Sequence, residues 1–538
     1  MNILAVNLAL AEQLKSLGYN VLELKPRGGI CRLGNQPGVR EFQPDLIIQQ
    51  ETLGPRVLLD GLENFACPAV YWSIDTHLNF FWQRFYIRNF DLVLTSQKSW
   101  VKRFHHLCST SSAWLPWFGR NRSWTPWNKR DVEVSFVGRI TEHRAVRARM
   151  ADFLQKEYAA DIRENMSFVR MLDHYSRTRF VPNESIAGEI NFRMFEAACC
   201  GALVLNQKLM EDIQDLYEPG REIVVFEHVL ELKDWLDYLR KKPEAARQMA
   251  FRAWNRTRQK HLPGHRARSM MAAAEDHFAA PKKDPDKNLW LAVFELWDSG
   301  RMNLSLERIR QKLYSLPLDE EILTAIVRAE HRGGGRLLDL LIPVLQRRQY
   351  DHDCLVNLTC SAAALAKDRG DLAAQFCKRQ ALQHCARTGP LDKPLQVYLF
   401  WAKELTRKGW KFRPGFMFHP GQHLPQSGLE CLLMASMLEP EDKDILIRIK
   451  RIVQGQSGLE SMVLKIISYA SLKERHNWRW NLELGFFHLK SFGLHQGLEE
   501  FYLGLENAEK AGELDLFLDM VAKRDKKGYI SGILSRSR

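Results

Sequence analysis

The hydrophobic rhythm of this 538-residue chain changes at PKKDPDK (281–287), and that change sets what the chain can fold into. Before it, short apolar runs alternate with amphipathic stretches, the pattern of a parallel sheet covered by helices on both faces. After it, apolar residues recur at helical spacing and strand-like runs are few, as in LLDLLIPVLQRRQ and LEEFYLGLENAEKAGELDLFLDMVAK. A chain of this length exceeds one ordinary core, so about two to four domains are expected.

In the first part the spacing predicts strands at 2–6, 20–24, 45–49, 69–73 and 91–95, with a helix over 8–17 closed by Gly18 at its C′ position. Residues 1–118 thus read as one Rossmann-like, doubly wound α/β lobe. FGRNRSWTPWNKRD (118–131) breaks the rhythm, and 119–131 reads as a connection. The rhythm restarts with strands at 132–137, 179–182, 202–206 and 222–226, and helices at 145–156, 191–200 and 230–258, the last interrupted near Pro243. A second Rossmann-like lobe is expected over 132–280, and ligands of such sheets bind beyond the carboxyl ends of the strands, so the expected site is a cleft that the two lobes face. Residues 288–538 read as an all-α helical-repeat domain. Its joints lie at 365–382 and 436–453, the latter with the Leu-x-Pro-x-Asp cadence of a tetratricopeptide-type helix pair.

The net charge of +13 favours anionic partners. Basic residues are spread along the chain, and no zinc finger, RNA-recognition signature or basic zipper is present, so a nucleotide-bearing substrate is expected and no nucleic acid. The ten cysteines lack the spacing of a metal knuckle, and Cys199 and Cys200 sit in an apolar run; reduced thiols in the cytoplasm are expected. MNILAVNLALAEQLKSLGYN lacks a basic leader and is interrupted by Glu12 and Lys15, so it reads as strand then helix, not a signal peptide. No apolar run reaches the roughly eighteen residues of a membrane span.

The segment NESIAGEINFRMFEAACCGALVLN (183–206) carries the chemistry. In a helix capped by Asn191 and closed by Gly201, Arg193, Glu196 and Cys200 share one stripe, while Phe192, Phe195 and Cys199 share another that packs on a sheet. Side chains lean toward the helix N-terminus, so Arg193 and Glu196 reach toward SIAGEI (185–190), where free N–H groups favour a phosphate. Arginine on a diphosphate and glutamate on ribose hydroxyls is the chemistry this stripe offers; the alternative is an i,i+3 ion pair worth about 0.2–0.5 kcal/mol. Gly138 and Arg139 end a strand, either to let backbone approach a phosphate or as a plain turn capped by Thr141. In SIDTH, Asp75 or His77 is placed to act as an acceptor base, Asp75 first, or else Asp75 or Thr76 caps the following helix. No Asp-x-Asp ends a strand in this half, and Asp442 and Asp444 belong to a helix cap, so no metal is expected.

N-E-S-x-x-G-E-I-N-x-R-x-F-E-A-x-x-C-G-A-L-V-L, followed by LYEPGREIVVF (216–226) and HLPGHRA (261–267), resembles the CgeB-like, spore-maturation-type glycosyltransferases of the GT-B class. Upstream, PAVYWSIDTHLNFFW, FDLVLTSQKSWVKRF and WLPWF are similar to that family's N-terminal lobe, so the resemblance spans residues 1 to about 278. It implies a hexosyltransferase-type enzyme that moves a sugar from a nucleotide-diphosphate donor and needs no further cofactor. Without an Asp-x-Asp, metal independence is expected, and the helical half, as a repeat array with a concave surface, is expected to recruit a protein acceptor. By that resemblance Arg193 contacts the diphosphate, Glu196 the ribose, and Gly220 and Glu222 match a Pro-Gly-x-Glu turn on the donor side, where a turn glycine alone is the other reading. Glu189 stands near the first acidic position of a Glu-x7-Glu pattern, one residue closer to Glu196, and would be catalytic. His261 matches an HTY-type histidine but is followed by Leu262-Pro263, and reads as structural. The altered spacing and the missing Thr-Tyr keep a second reading open, a scaffold whose α/β half has lost catalysis.

Overall fold

The apolar runs of the first part form β1 (Asn2–Val6), β2 (Asn20–Leu24), β3 (Gly29–Arg32), β4 (Leu46–Gln50), β5 (Val57–Asp60), β6 (Ala69–Ser73), β7 (Leu92–Thr95) and β8 (Ser111–Trp114). The computed structural model describes residues 1–536 except 109, 142–143, 186–187, 210–212, 335–336, 384–388, 455 and 457–458. Six strands make a parallel sheet in the order β2-β1-β4-β6-β7-β8, and β3 pairs with β5 in a separate parallel ribbon. The interior strands β4, β6 and β7 are buried along their whole length, as parallel strands covered on both faces must be. Gly18, with φ +91°, donates its N–H to Lys15 O and ends the first helix, Ala11–Ser16, at its C′ position.

The second lobe holds β9 (Val132–Val137), β10 (Asp161–Arg163), β11 (Thr178–Asn183), β12 (Leu203–Gln207) and β13 (Val224–Phe226), all parallel in the order β10-β9-β11-β12-β13. The sequence reading misses β3, β5, β8 and β10, which are three or four residues long, and the helices Val39–Phe42, Lys98–Cys108, Phe168–Arg177 and Pro263–Glu275. Edge position and polar ends leave Asp161–Arg163 without an apolar run to announce it, whereas Val57–Asp60 has one that is only three residues long.

The helical half does not stand apart as the sequence division at 288 suggests. The chain forms two discontinuous units, 1–115 with 267–452 and 116–266 with 453–538. In the first, Leu289, Val293 and Ile326 share one core with Tyr71, Phe81, Phe85 and Phe104. In the second, Trp478, Phe486, Phe501 and Phe517 share a core with Phe136, Phe180 and Phe226. The helix Pro285–Asp298 is buried nearly all round, which makes it a core helix and not one face of a free-standing array.

Charges are buried with it. Arg328 donates to Glu295 Oε1 and Asp298 Oδ2, each at 2.6 Å, and Arg84, from the helix Thr76–Tyr86, lies 3.5 Å from Glu295. Burial alone would raise the Glu295 carboxyl, but Arg328, Arg413 and Arg84 outweigh it and hold it down at about 2. The 119–131 connection is pinned to the second lobe, because buried Arg130 donates to Thr178 O (2.7 Å) and Cys200 O (2.9 Å). Asp442 Oδ1 accepts from the N–H groups of Asp444 and Ile445 and caps the helix Lys443–Val453. No helix among the described residues is long and apolar enough to cross a membrane.

Candidate functional site

The carboxyl ends of β9 and β11 meet the start of the helix Phe192–Cys199. Arg193 leaves that helix and donates through Nε to Val137 O (3.1 Å) and through Nη1 to Asn183 Oδ1 (2.7 Å), with its guanidinium 4.2 Å over the Phe136 ring. Gly138 is small because Arg193 lies against it: a Cβ there would stand 2.6 Å from Nη2. Neither reading of Gly138 made from the sequence names this packing. Arg193 is half-buried, and burial pulls its guanidinium pKa down, which marks a charge that has given up much of its water.

Asn183 is the hub that the sequence reading passed over. It exchanges a reciprocal amide pair with Asn191 (3.0 and 3.1 Å) and donates to Asn206 Oδ1 at 2.6 Å. Asn191 has the extended backbone of an N-cap, yet its side chain makes no cap; its amide is spent on Asn183 and Glu184 O. This corrects the capping expectation: the helix start has no side-chain cap from Asn191. The preceding loop has Gly188 at φ +66°, and Ser185 Oγ donates to the Glu189 carboxylate; Ile186 and Ala187 of SIAGEI lie outside the described residues. Gly201, at φ +76°, closes the helix at its C′ position as expected, against the Arg130 guanidinium and the Trp124 ring.

More arginines gather here than the sequence reading named. Arg147 and Glu184, both buried, form an ion pair at 2.8 Å, and Arg147 also reaches Arg139 O at 3.4 Å. Burial lowers the pKa of Arg144, and so do the like charges of Arg147, Arg139 and Arg193. Arg144, Arg147 and Arg193 therefore lie close enough to repel one another near the end of β9, exposed Arg139 adds a further positive charge, Glu184 pairs with Arg147, and Glu164 accepts from Ile140 N–H at 2.9 Å. Such an excess repels itself and favours a dianion at the uncapped helix start. Arg144 and Arg147 belong to a stretch that reads from sequence as an ordinary amphipathic helix and its approach; their spacing of three residues was the available signal.

Glu196, three residues beyond Arg193, is half-buried, and burial pushes its carboxyl up to about 7 against the pull of Arg193 and Arg120. The Arg120 guanidinium sits over Phe118 and Phe168, and Trp117 stacks on Phe118 (4.5 Å) and on Phe192 (4.3 Å). Gly220 and Glu222 serve a turn: Gly220 has φ +79°, and Glu222 Oε2 accepts from Glu218 N–H and Arg256 Nε. Neither partner belongs to the arginine cluster. His261 lies buried against Phe195 and Tyr217, accepts from Arg266 Nη2 at Nδ1, and so donates from Nε2 to Leu216 O (2.9 Å). Burial and Arg266 hold it down at about 3, neutral and structural.

In the first lobe, Asp75 occupies the N-cap position of the helix Thr76–Tyr86 but makes no side-chain cap, and the Thr76 hydroxyl pairs with Ser73 and Thr95 instead. The group that accepts the local N–H donors is Glu51, just past β4, which the sequence reading missed as a polar strand end. Its Oε2 accepts from Ile74 N–H (2.7 Å) and Asp75 N–H (2.9 Å), and its Oε1 from Asn79 Nδ2 (2.6 Å). Asn79 Oδ1 in turn accepts from Arg56 and Arg301, both at 3.0 Å. Burial, and then Asp75, raise the Glu51 carboxyl, with Arg56 pulling the other way. His77 Nδ1 is buried without a hydrogen-bond partner among the described residues. No group of three or more metal-ligating side chains occurs among the described residues.

Residues 120–272 match a glycosyl transferase-like family. The match takes in the second lobe with Arg139, Arg193 and Glu196. Three of the solved structures that align are distant. Sucrose-phosphate synthase from Thermosynechococcus elongatus is 11% identical over 51% of this chain and 98% of its own, with a TM-score of 0.39. A glycosyltransferase from Rickettsia africae is 10% identical over 51% and 98%, TM-score 0.36. Anabaena HepE, solved with UDP and glucose, is 13% identical over 51% and 99%, TM-score 0.35. No curated protein sequence matches the chain.

Proposed function

We propose that the chain transfers a sugar from a nucleotide-diphosphate donor to an acceptor, with the second lobe holding the donor. The observation that carries this reading is the cluster of Arg139, Arg144, Arg147 and Arg193 around an uncapped helix start, in the lobe that matches the glycosyl transferase-like family. A diphosphate brings the charge that this cluster lacks, and Arg193 is already held in place by Val137, Asn183 and Phe136. Glu196, beside it, is the acceptor for ribose hydroxyls once ionised, and Glu189 is the further carboxylate at the donor. Arg139 and Arg144 with the helix N-terminus stabilise charge as the nucleotide leaves, so the reaction proceeds without a metal or any cofactor. In the first lobe Asp75, then His77, is the base that takes the acceptor hydroxyl proton. The acceptor is a protein brought in by the helical segments, and the enzyme works in the cytoplasm as a CgeB-like, hexosyltransferase-type member of the GT-B class.

The experiment is turnover of a panel of UDP-, GDP- and dTDP-sugars by the intact chain, read as nucleotide release. One donor should be consumed, and Arg193→Ala should slow that by about 10²–10³ while leaving the melting curve cooperative. Wild-type rates from the variant would remove the assignment. A second reading, a nucleotide-free scaffold, draws on one observation: Arg193 spends Nε and Nη1 on protein oxygens. Under that reading no nucleotide raises the melting temperature.

A further inference from the structure

A cavity of about 500 Å3 lies in the first unit between the β3–β5 ribbon and the helices Pro285–Asp298 and Leu306–Ser315. That volume is in the range of small-ligand pockets. Two ion pairs line it, Arg32 Nε with Asp60 Oδ2 at 3.1 Å and Lys312 Nζ with Asp286 Oδ2 at 2.7 Å, and half-buried Trp290 adds an aromatic surface. The helix Leu306–Ser315 buries Ile309 and Leu313 and presents Arg308, Gln311 and Lys312 to the cavity.

The chemistry of this lining is selective. Each pair sets a cation beside a carboxylate, with donors and lone pairs left over after the pairing. A hydroxyl group both donates and accepts, so neighbouring hydroxyls on one ring suit such a pair on both counts. A polyphosphate would meet Asp60 and Asp286, and a wholly apolar ligand would strand all four charges. Lys312 Nζ lies 5.5 Å over one side of the Trp290 ring, so a pyranose C–H face would pack on the indole beside that cation. Arg308, whose guanidinium has no partner among the described residues, lines this cavity and a neighbouring one of about 470 Å3, and adds one uncompensated positive charge.

We propose that this cavity binds a glycan through vicinal hydroxyls, and that Arg308 makes a uronic acid the preferred unit. The site is built wholly from first-unit residues and does not rest on the donor reading of the second lobe. The test is saturation-transfer NMR on the intact chain with cellobiose and digalacturonate, with UDP as competitor. Both sugars should show transfer, digalacturonate should bind about tenfold more tightly, and UDP should leave both signals unchanged. Asp60→Asn and the exposed-site change Gln311→Ala should each weaken binding about tenfold, and Arg308→Ala should remove only the preference for the acid. Absence of transfer from both sugars overturns the proposal, as do unchanged signals in the Asp60 and Gln311 variants. Displacement by UDP would place the sugars at the nucleotide site and overturn it equally. Should Asp60→Asn fail to fold, Gln311→Ala carries the decision.

Discussion

At the scale of single residues, a half-buried arginine and a glutamate one helical turn beyond it carry the proposed donor site. Removing a preorganised charge that stabilises a transition state costs about 10²–10³ in turnover. Arg193→Ala should lose that much in a nucleotide-release assay, and Arg193→Lys, which keeps the charge but not the forked bonds to Val137 and Asn183, should recover only part of it. Glu196 has a carboxyl near 7, so nucleotide affinity should rise between about pH 6 and about pH 8 as it ionises, and Glu196→Gln should flatten the profile. The stability effect has the opposite sense. Its folded value lies above the unfolded 4.5, so from 4.5 to about 7 the folded state keeps a proton that the unfolded chain has released, and stability falls as pH rises. Arg193 and Glu196 were legible as candidates because a charge inside an apolar helical run stands out. Asn183, Glu184, Arg147 and Glu51 were not, because polar residues at strand ends and on amphipathic helices are ordinary in sequence, and only the fold brings them together.

At the scale of elements, the helix Phe192–Cys199 was legible as a unit, while its fastening was not. Asn191 has the residue type and backbone of a cap, but tertiary hydrogen bonds to Asn183 and Glu184 claim its side chain. Gly138 shows how one element constrains another: Gly138→Ala drives a Cβ into the Arg193 guanidinium and the Phe136 ring, so nucleotide affinity should fall well before the lobe unfolds. The buried network around Glu295 makes a separate prediction. Glu295→Gln leaves Arg328 underpaired in the core and should cost about 3–5 kcal/mol in denaturant unfolding. In the wild type, Glu295 is held at about 2, below its unfolded 4.5, so its contribution is complete above 4.5 and is lost as pH falls toward 2.

At the scale of the whole molecule, the sequence rhythm announced two parallel-sheet lobes and a helical half, and the sheets follow it. The division of the helical half was not legible, because periodicity shows that a face is apolar and says nothing of what covers it. Here the lobes cover it: 267–452 completes the first unit and 453–538 the second. A fragment ending at residue 280 should therefore lack a cooperative melting transition, since Phe81 and Phe85 would lose Leu289 and Val293 from their shared core. The central claim, that the arginine cluster holds a nucleotide diphosphate, is tested most directly by calorimetric titration of the intact chain with UDP, GDP and dTDP. One of the three should bind, more weakly as salt rises, and the double variant Arg147→Ala, Arg193→Ala should bind none. Equal binding to that folded double variant, or no binding by the wild type, would contradict the account.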